Sequence, residues 1–187
     1  MTSGSFSLET IVKFEPTKSH RSNQSLMRLQ ATGSTMLSLG SQPCFLNVVY
    51  NYTPQSGSGD LHLLVRSSDE VLAPKLDLAI PNINMFNGEK WYVSAGRVRG
   101  DLTSSLSSSY HLSCGFVEDQ ITYTYFSTSS YFSETIAGDE SHDMFQNITA
   151  SYNASGTFLI VGSQSLDITS PLFLNSNIVT HFDGKIG

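Results

Sequence analysis

FNGEKWYVSAGRVRGD, residues 86–101, decides the fold. Asn87-Gly88 is a dipeptide suited to a tight turn with positive φ, since glycine carries no Cβ to clash there. From the single tryptophan onward, Trp91, Val93 and Ala95 alternate with Tyr92, Ser94 and Gly96. A period of two is that of a strand with one buried face, so Trp91 is expected in the core. A second turn-then-strand unit, HFDGKIG, closes the chain at residues 181–187, with Asp183-Gly184 as its turn. Together the two units predict an antiparallel β-sandwich.

The rest of the chain repeats this pattern. Residues 5–14 set Phe6, Leu8, Val12 and Phe14 against Ser7, Glu9 and Lys13, and Pro16 ends the run. Further strands are expected at residues 26–30, 35–39, 44–52, 61–66, 76–80, 110–117, 120–128 and 157–161. The apolar run at 44–52 is expected to be central. Residues 110–117 and 120–128 should form a hairpin about Glu118-Asp119. The serine-rich residues 102–109 and the stretch 129–143 read as loops. About ten short strands separated by Gly, Asn, Ser and Pro, without a convincing helical period, indicate a sandwich or barrel.

Composition sets bounds on function. The chain has 187 residues, enough for one domain with a substantial core, and no linker divides it. Charged residues are 14% of the total and the net charge is −6, with basic residues scattered. Nucleic-acid binding needs clustered Lys and Arg, so it is not expected. No apolar run is long enough for a membrane-spanning helix, so no membrane insertion is expected. MTSGSFSLE lacks the basic and apolar regions of a signal peptide. Cys44 and Cys114 each fall among apolar alternating neighbours and read as buried thiols, with a disulfide as the alternative.

The order of the pieces resembles the laminin G-like, concanavalin A-like lectin and glucanase jelly-roll superfamily. FSLETIVKF (6–14), NGEKWYVSAGRVRGD (87–101), TFLIVGSQ (157–164) and HFDGKIG (181–187) carry the resemblance. It implies a jelly-roll sandwich serving as a module of an extracellular, cell-surface or virion assembly. It also implies one further strand after the Gly-Lys-Ile turn, so the chain reads as a fragment lacking its closing strand. The glucanases of this architecture carry Glu-x-Asp-x-x-Glu on one strand, which places acid and nucleophile on one face. No such stretch occurs here, and a non-catalytic module is expected. A glycoside hydrolase or polysaccharide lyase of the same architecture is the alternative.

The expected partners are a glycan or a protein, together with the parent assembly. Sugars stack on exposed rings, and Tyr123 and Tyr125 alternate on one strand face with Tyr131 nearby; packing of the two sheets is the competing use of those rings. Relatives of such folds often bind Ca²⁺ through hard oxygens, and Asp139 and Asp143 in an acidic loop would supply them. Five scattered histidines and many serines make no nucleophile elbow. Asn23, Asn51, Asn147 and Asn153 open N-x-Ser/Thr triplets, a pattern expected by chance in a chain this rich in Ser and Thr.

Overall fold

A computed structural model describes residues 5–16, 23–31, 44–53, 57–66, 76–99, 107–133, 157–162, 180–181 and 184–187. The strands in chain order are β1 (Phe6–Phe14), β2 (Asn23–Ala31), β3 (Cys44–Thr53), β4 (Ser58–Arg66), β5 (Leu76–Ile83) and β6 (Trp91–Arg99). They continue with β7 (Ser107–Glu118), β8 (Ile121–Thr128), β9 (Phe132–Ser133), β10 (Thr157–Val161), β11 (Thr180–His181) and β12 (Gly184–Ile186). The described residues contain no helix. One sheet runs β12-β1-β6-β7-β8 with β9 beside β7; the other runs β10-β2-β3-β4-β5 with β11 beside β2. Every pairing is antiparallel except the two-residue β11–β2 bridge.

The architecture is all-β, with two antiparallel sheets lining one hydrophobic core. From the first sheet, Val12, Phe14, Trp91, Val93, Ala95 and Leu112 enter it; from the second come Leu46, Val48, Leu61, Leu63, Val65 and Ile80. The alternation read from Trp91 to Ala95 is therefore the core face of β6. Register supports it, with Val12 opposite Trp91 and Leu8 opposite Ala95. Burial of such side chains is the main favourable term, about 1.5–3 kcal/mol for each aliphatic or Phe side chain. β3 lies between β2 and β4, the central place expected for it.

At one end, Tyr50 ties strands of the second sheet through its hydroxyl and reaches the first sheet through its ring. Tyr50 donates from its hydroxyl to the Ile83 carbonyl at 2.7 Å and accepts from the Met85 amide at 3.4 Å. Its ring meets Phe14 at 5.2 Å and Phe86 at 5.8 Å between centroids. Burial pushes the Tyr50 phenol well above its ordinary titration range. The outer face at the centre of the second sheet is also buried: Ser25, Arg28, Asn47 and Leu64 are all nearly inaccessible. The Ser25 hydroxyl donates to Asn47 Oδ1 there at 2.7 Å.

Several boundaries differ from the sequence reading. β5 continues past Ile80 through Pro81 to Ile83, which an edge strand tolerates because the missing N–H needs no partner. β7 begins at Ser107, so residues 107–109, expected in a loop, are strand: Ser108 pairs with Arg99 and Ser109 with Val98 on β6, and Ser107 with Ser133 on β9. Phe132–Ser133, inside another expected loop, bridges to β7. The β7–β8 hairpin turns one residue later than expected, on Asp119 and Gln120, both at positive φ of 48° and 66°. Two successive left-handed residues give the turn that matches strand twist in a two-residue hairpin. In the closing turn-then-strand unit, Gly184–Ile186 forms the strand beside β1, with Ile186 opposite Val12, so Gly184, expected in the turn, belongs to the strand. The strand expected at 35–39 lies outside the described residues.

Candidate functional site

With Trp91, Val93 and Ala95 inward, the same pleat sends Tyr92 and Ser94 outward. Register extends that outer face across four strands. Tyr92 stands opposite Ile11 on β1 and Gly115 on β7, and Ser94 opposite Glu9 and Ser113. Gly115 in turn faces Thr124, and Val117 faces Thr122, on β8. Along this face runs an open groove of about 670 Å³. Its floor is made of small residues, Ser94, Ser113 and Gly115, and larger side chains stand around it. A period-two strand with Ser or Gly at successive outward positions makes a depression, because nothing fills the space above the backbone.

Gly115 is required at the bottom. A Cβ there would lie 2.5 Å from the Tyr123 carbonyl oxygen. The rings in the lining are Tyr92, 56% exposed, and the buried Phe116. The Ser7 hydroxyl donates to Glu9 Oε1 at 3.4 Å and lies 2.8 Å from the Ser94 hydroxyl. With its proton directed to Glu9, Ser7 accepts from Ser94, and the Ser94 lone pairs remain for a ligand. Among the described residues, Glu9 is the single carboxylic side chain lining the groove. His111, across from Gly96 on the same outer face, has its pKa lowered by burial, partly opposed by the Glu9 charge.

This arrangement offers hydroxyl donors and acceptors, a carboxylate and an exposed ring on one face of a sheet. It suits a polyhydroxylated ligand, which needs several hydrogen bonds and a flat apolar surface. The outward positions were legible as alternation from Trp91, but the groove depends on register between β6, β7 and β8. The usable signal was Ser113 and Gly115 interleaved with Cys114 and Phe116.

The tyrosines singled out from the sequence lie elsewhere. Tyr123 and Tyr125 do share a face of β8, the face opposite Thr122 and Thr124. Tyr123 stacks on Phe116 at 4.8 Å with rings 10° apart, and Tyr125 stacks over Trp91 at 6.1 Å. Each ring thus packs on a core aromatic while remaining 37% exposed. Tyr131, beyond the end of β8, is 60% exposed. The three do not line the groove.

Asp139 and Asp143, the expected Ca²⁺ ligands, lie outside the described residues. Among the described residues, no group of three or more His, Cys, Asp or Glu side chains is placed to hold a metal ion. Likewise, no described helix is long and apolar enough to cross a membrane. Cys114 is a buried free thiol, its pKa pushed up to about 12 by burial, so the disulfide alternative is not adopted. Asn23, the first residue of one glycosylation triplet, is buried within β2, where an attached glycan has no room. Compared with protein-family models, curated proteins and solved structures, the chain matches none.

Proposed function

We propose that this chain is a non-catalytic binding module that holds a saccharide in the groove on the outer face of the β1–β6–β7–β8 sheet. The observation that carries the proposal is the floor of Ser94, Ser113 and Gly115 beside the exposed Tyr92 ring. A pyranose laid on Tyr92 would meet hydroxyls from Ser94, Ser113, Thr122 and Thr124 within the same depression. Glu9 adds an acceptor for sugar hydroxyls and disfavours anionic sugars. A hydrolytic role needs two carboxyl groups about the scissile bond, and the described residues of the groove lining supply one carboxylic side chain, Glu9.

The finer assignment to a laminin G-like jelly roll is part of this proposal. It is supported by adjacency: the motifs at 6–14, 87–101 and 181–187 supply neighbouring strands β1, β6 and β12. The corresponding setting would be a surface or virion assembly, with a glycan or glycoprotein as partner.

The test is a glycan-array screen of the purified chain with and without Ca²⁺, followed by calorimetry on any hit. Binding lost on Tyr92→Ala and kept on Tyr123→Ala supports the groove. Loss on Tyr123→Ala alone moves the site to the opposite face of β8. Absence of binding by folded protein to any glycan overturns the saccharide reading.

A further inference from the structure

We infer that β8 is a self-pairing edge, through which two copies of this chain join antiparallel about a two-fold axis. β8 is the last strand of its sheet, and among the described residues no strand pairs with its outer side. All of its residues except Ser127 are exposed. An edge presents a row of unmatched N–H and C=O groups that templates another strand, and proteins ordinarily blunt it with Lys, Pro, a bulge or a cover. ITYTYFST has none of the first three: it carries no charge and no proline, and its register with β7 is unbroken from Ile121 to Thr128. The composition is β-branched and aromatic, the kind that pairs most readily.

Charge and area select a second copy as the occupant. Glu118 and Asp119 stand at the entrance to β8, and no charged residue stands at its far end through Tyr131. A parallel arrangement would set the two acidic pairs side by side. An antiparallel one separates them by the length of the strand, roughly 25 Å, beyond the screening length of about 8 Å at physiological salt. The strand is thus complementary to itself in one direction only.

Phe126, 76% exposed, stands on one face of β8, and Ile121, 56% exposed, stands on the other with the outer parts of Tyr123 and Tyr125, so a second β8 laid alongside meets apolar side chains on both faces of the joined sheet. Pairing along the eight residues of β8 with these flanking side chains makes an interface at the small end of the range for specific association, below about 1,200 Å². Thr122 and Thr124 line the groove and belong to the pairing strand, so dimerisation would set two grooves side by side on one continuous sheet.

Sedimentation velocity and light scattering of the full chain over a wide concentration range test this. The expected mass rises from 20.4 kDa toward twice that value, and the β8 amides exchange at least tenfold more slowly in the concentrated sample. The double variant Thr124→Lys, Phe126→Lys, both changes at exposed positions, should remain a monomer at concentrations where the wild type is dimeric. Hydrogen exchange on the wild type decides the matter even if that variant misfolds. Mass fixed at 20.4 kDa, with β8 amides unprotected at every concentration, overturns self-pairing and leaves the edge to a foreign strand. A dimer that persists in the folded double variant, with β8 unprotected, also overturns it.

Discussion

Asn87 Oδ1 accepts the indole N–H of Trp91 at 3.0 Å and the backbone N–H of Glu89 at 3.1 Å. One amide oxygen therefore closes the turn and satisfies the polar end of the largest fully buried side chain among the described residues. Gly88 at φ 86° allows the chain to make that turn. Removal of the acceptor leaves the Trp91 N–H unmatched in a part-buried position. Asn87→Ala should cost about 1–3 kcal/mol; Asn87→Asp, which keeps the oxygen, should cost less. Trp91 is the single tryptophan, so its fluorescence during urea unfolding reports both variants. An unchanged midpoint for Asn87→Ala would show that the bond contributes nothing net.

Gly96 makes the corresponding test at the β1–β6 seam. A Cβ there would run into the Phe6 carbonyl oxygen and come within 2.8 Å of His111 Cε1. The obstruction is backbone, which cannot swing away as a side-chain tip can. Gly96→Ala should therefore destabilise by about 1–3 kcal/mol through overpacking, despite alanine's better fit to a strand in general. Exchange of the β1 amides should quicken more than that of β3. Equal stability of variant and wild type would mean that β1 shifts outward at no cost.

These two positions also show what the sequence could and could not disclose. The Asn87-Gly88 turn and the inward set Trp91, Val93 and Ala95 were readable because turn chemistry and strand period are local. Tyr123 and Tyr125 were readable as sharing a face, but not which face: that depends on their stacking upon Phe116 and Trp91 from other strands. The groove was invisible for the same reason, since Glu9, Tyr92, Gly115 and Thr124 meet only through register. Pro81 misled the end of β5, because an edge position cannot be inferred before the strand order is known. Ser107–Ser109 looked like a loop by composition, yet Ser108 and Ser109 pair with β6 and Ser107 with β9.

Alkaline pH should weaken the fold. The Cys114 thiol, ordinarily near 9.0, is pushed up to about 12 by burial, so the unfolded chain loses this proton before the folded one. Stability from this group is complete below pH 9 and falls away as pH rises toward 12, at a limiting slope of about 1.4 kcal/mol per pH unit. The Tyr50 phenol, also held protonated by burial, adds to the decline above its ordinary range. Urea titrations at pH 7, 9 and 10 should show the loss, and Cys114→Ala should flatten it between pH 9 and 10. An unaltered slope in that variant would assign the alkaline sensitivity to other groups.

Acid should act through His111. Burial lowers its pKa from 6.5, although Glu9 pulls in the opposite direction, so the folded chain resists protonation that the unfolded chain accepts. Its contribution is present above pH 6.5 and is lost as pH falls through the lowered folded value. His111→Gln should remove this part of the acid sensitivity, while Glu9→Gln should deepen it, because the charge that favours protonated His111 is gone. The two variants move the acid limb of a stability–pH curve in opposite directions. Thermal unfolding between pH 4.5 and 7.5 reads that separation, and coincident curves would show that His111 and Glu9 do not interact across the outer face.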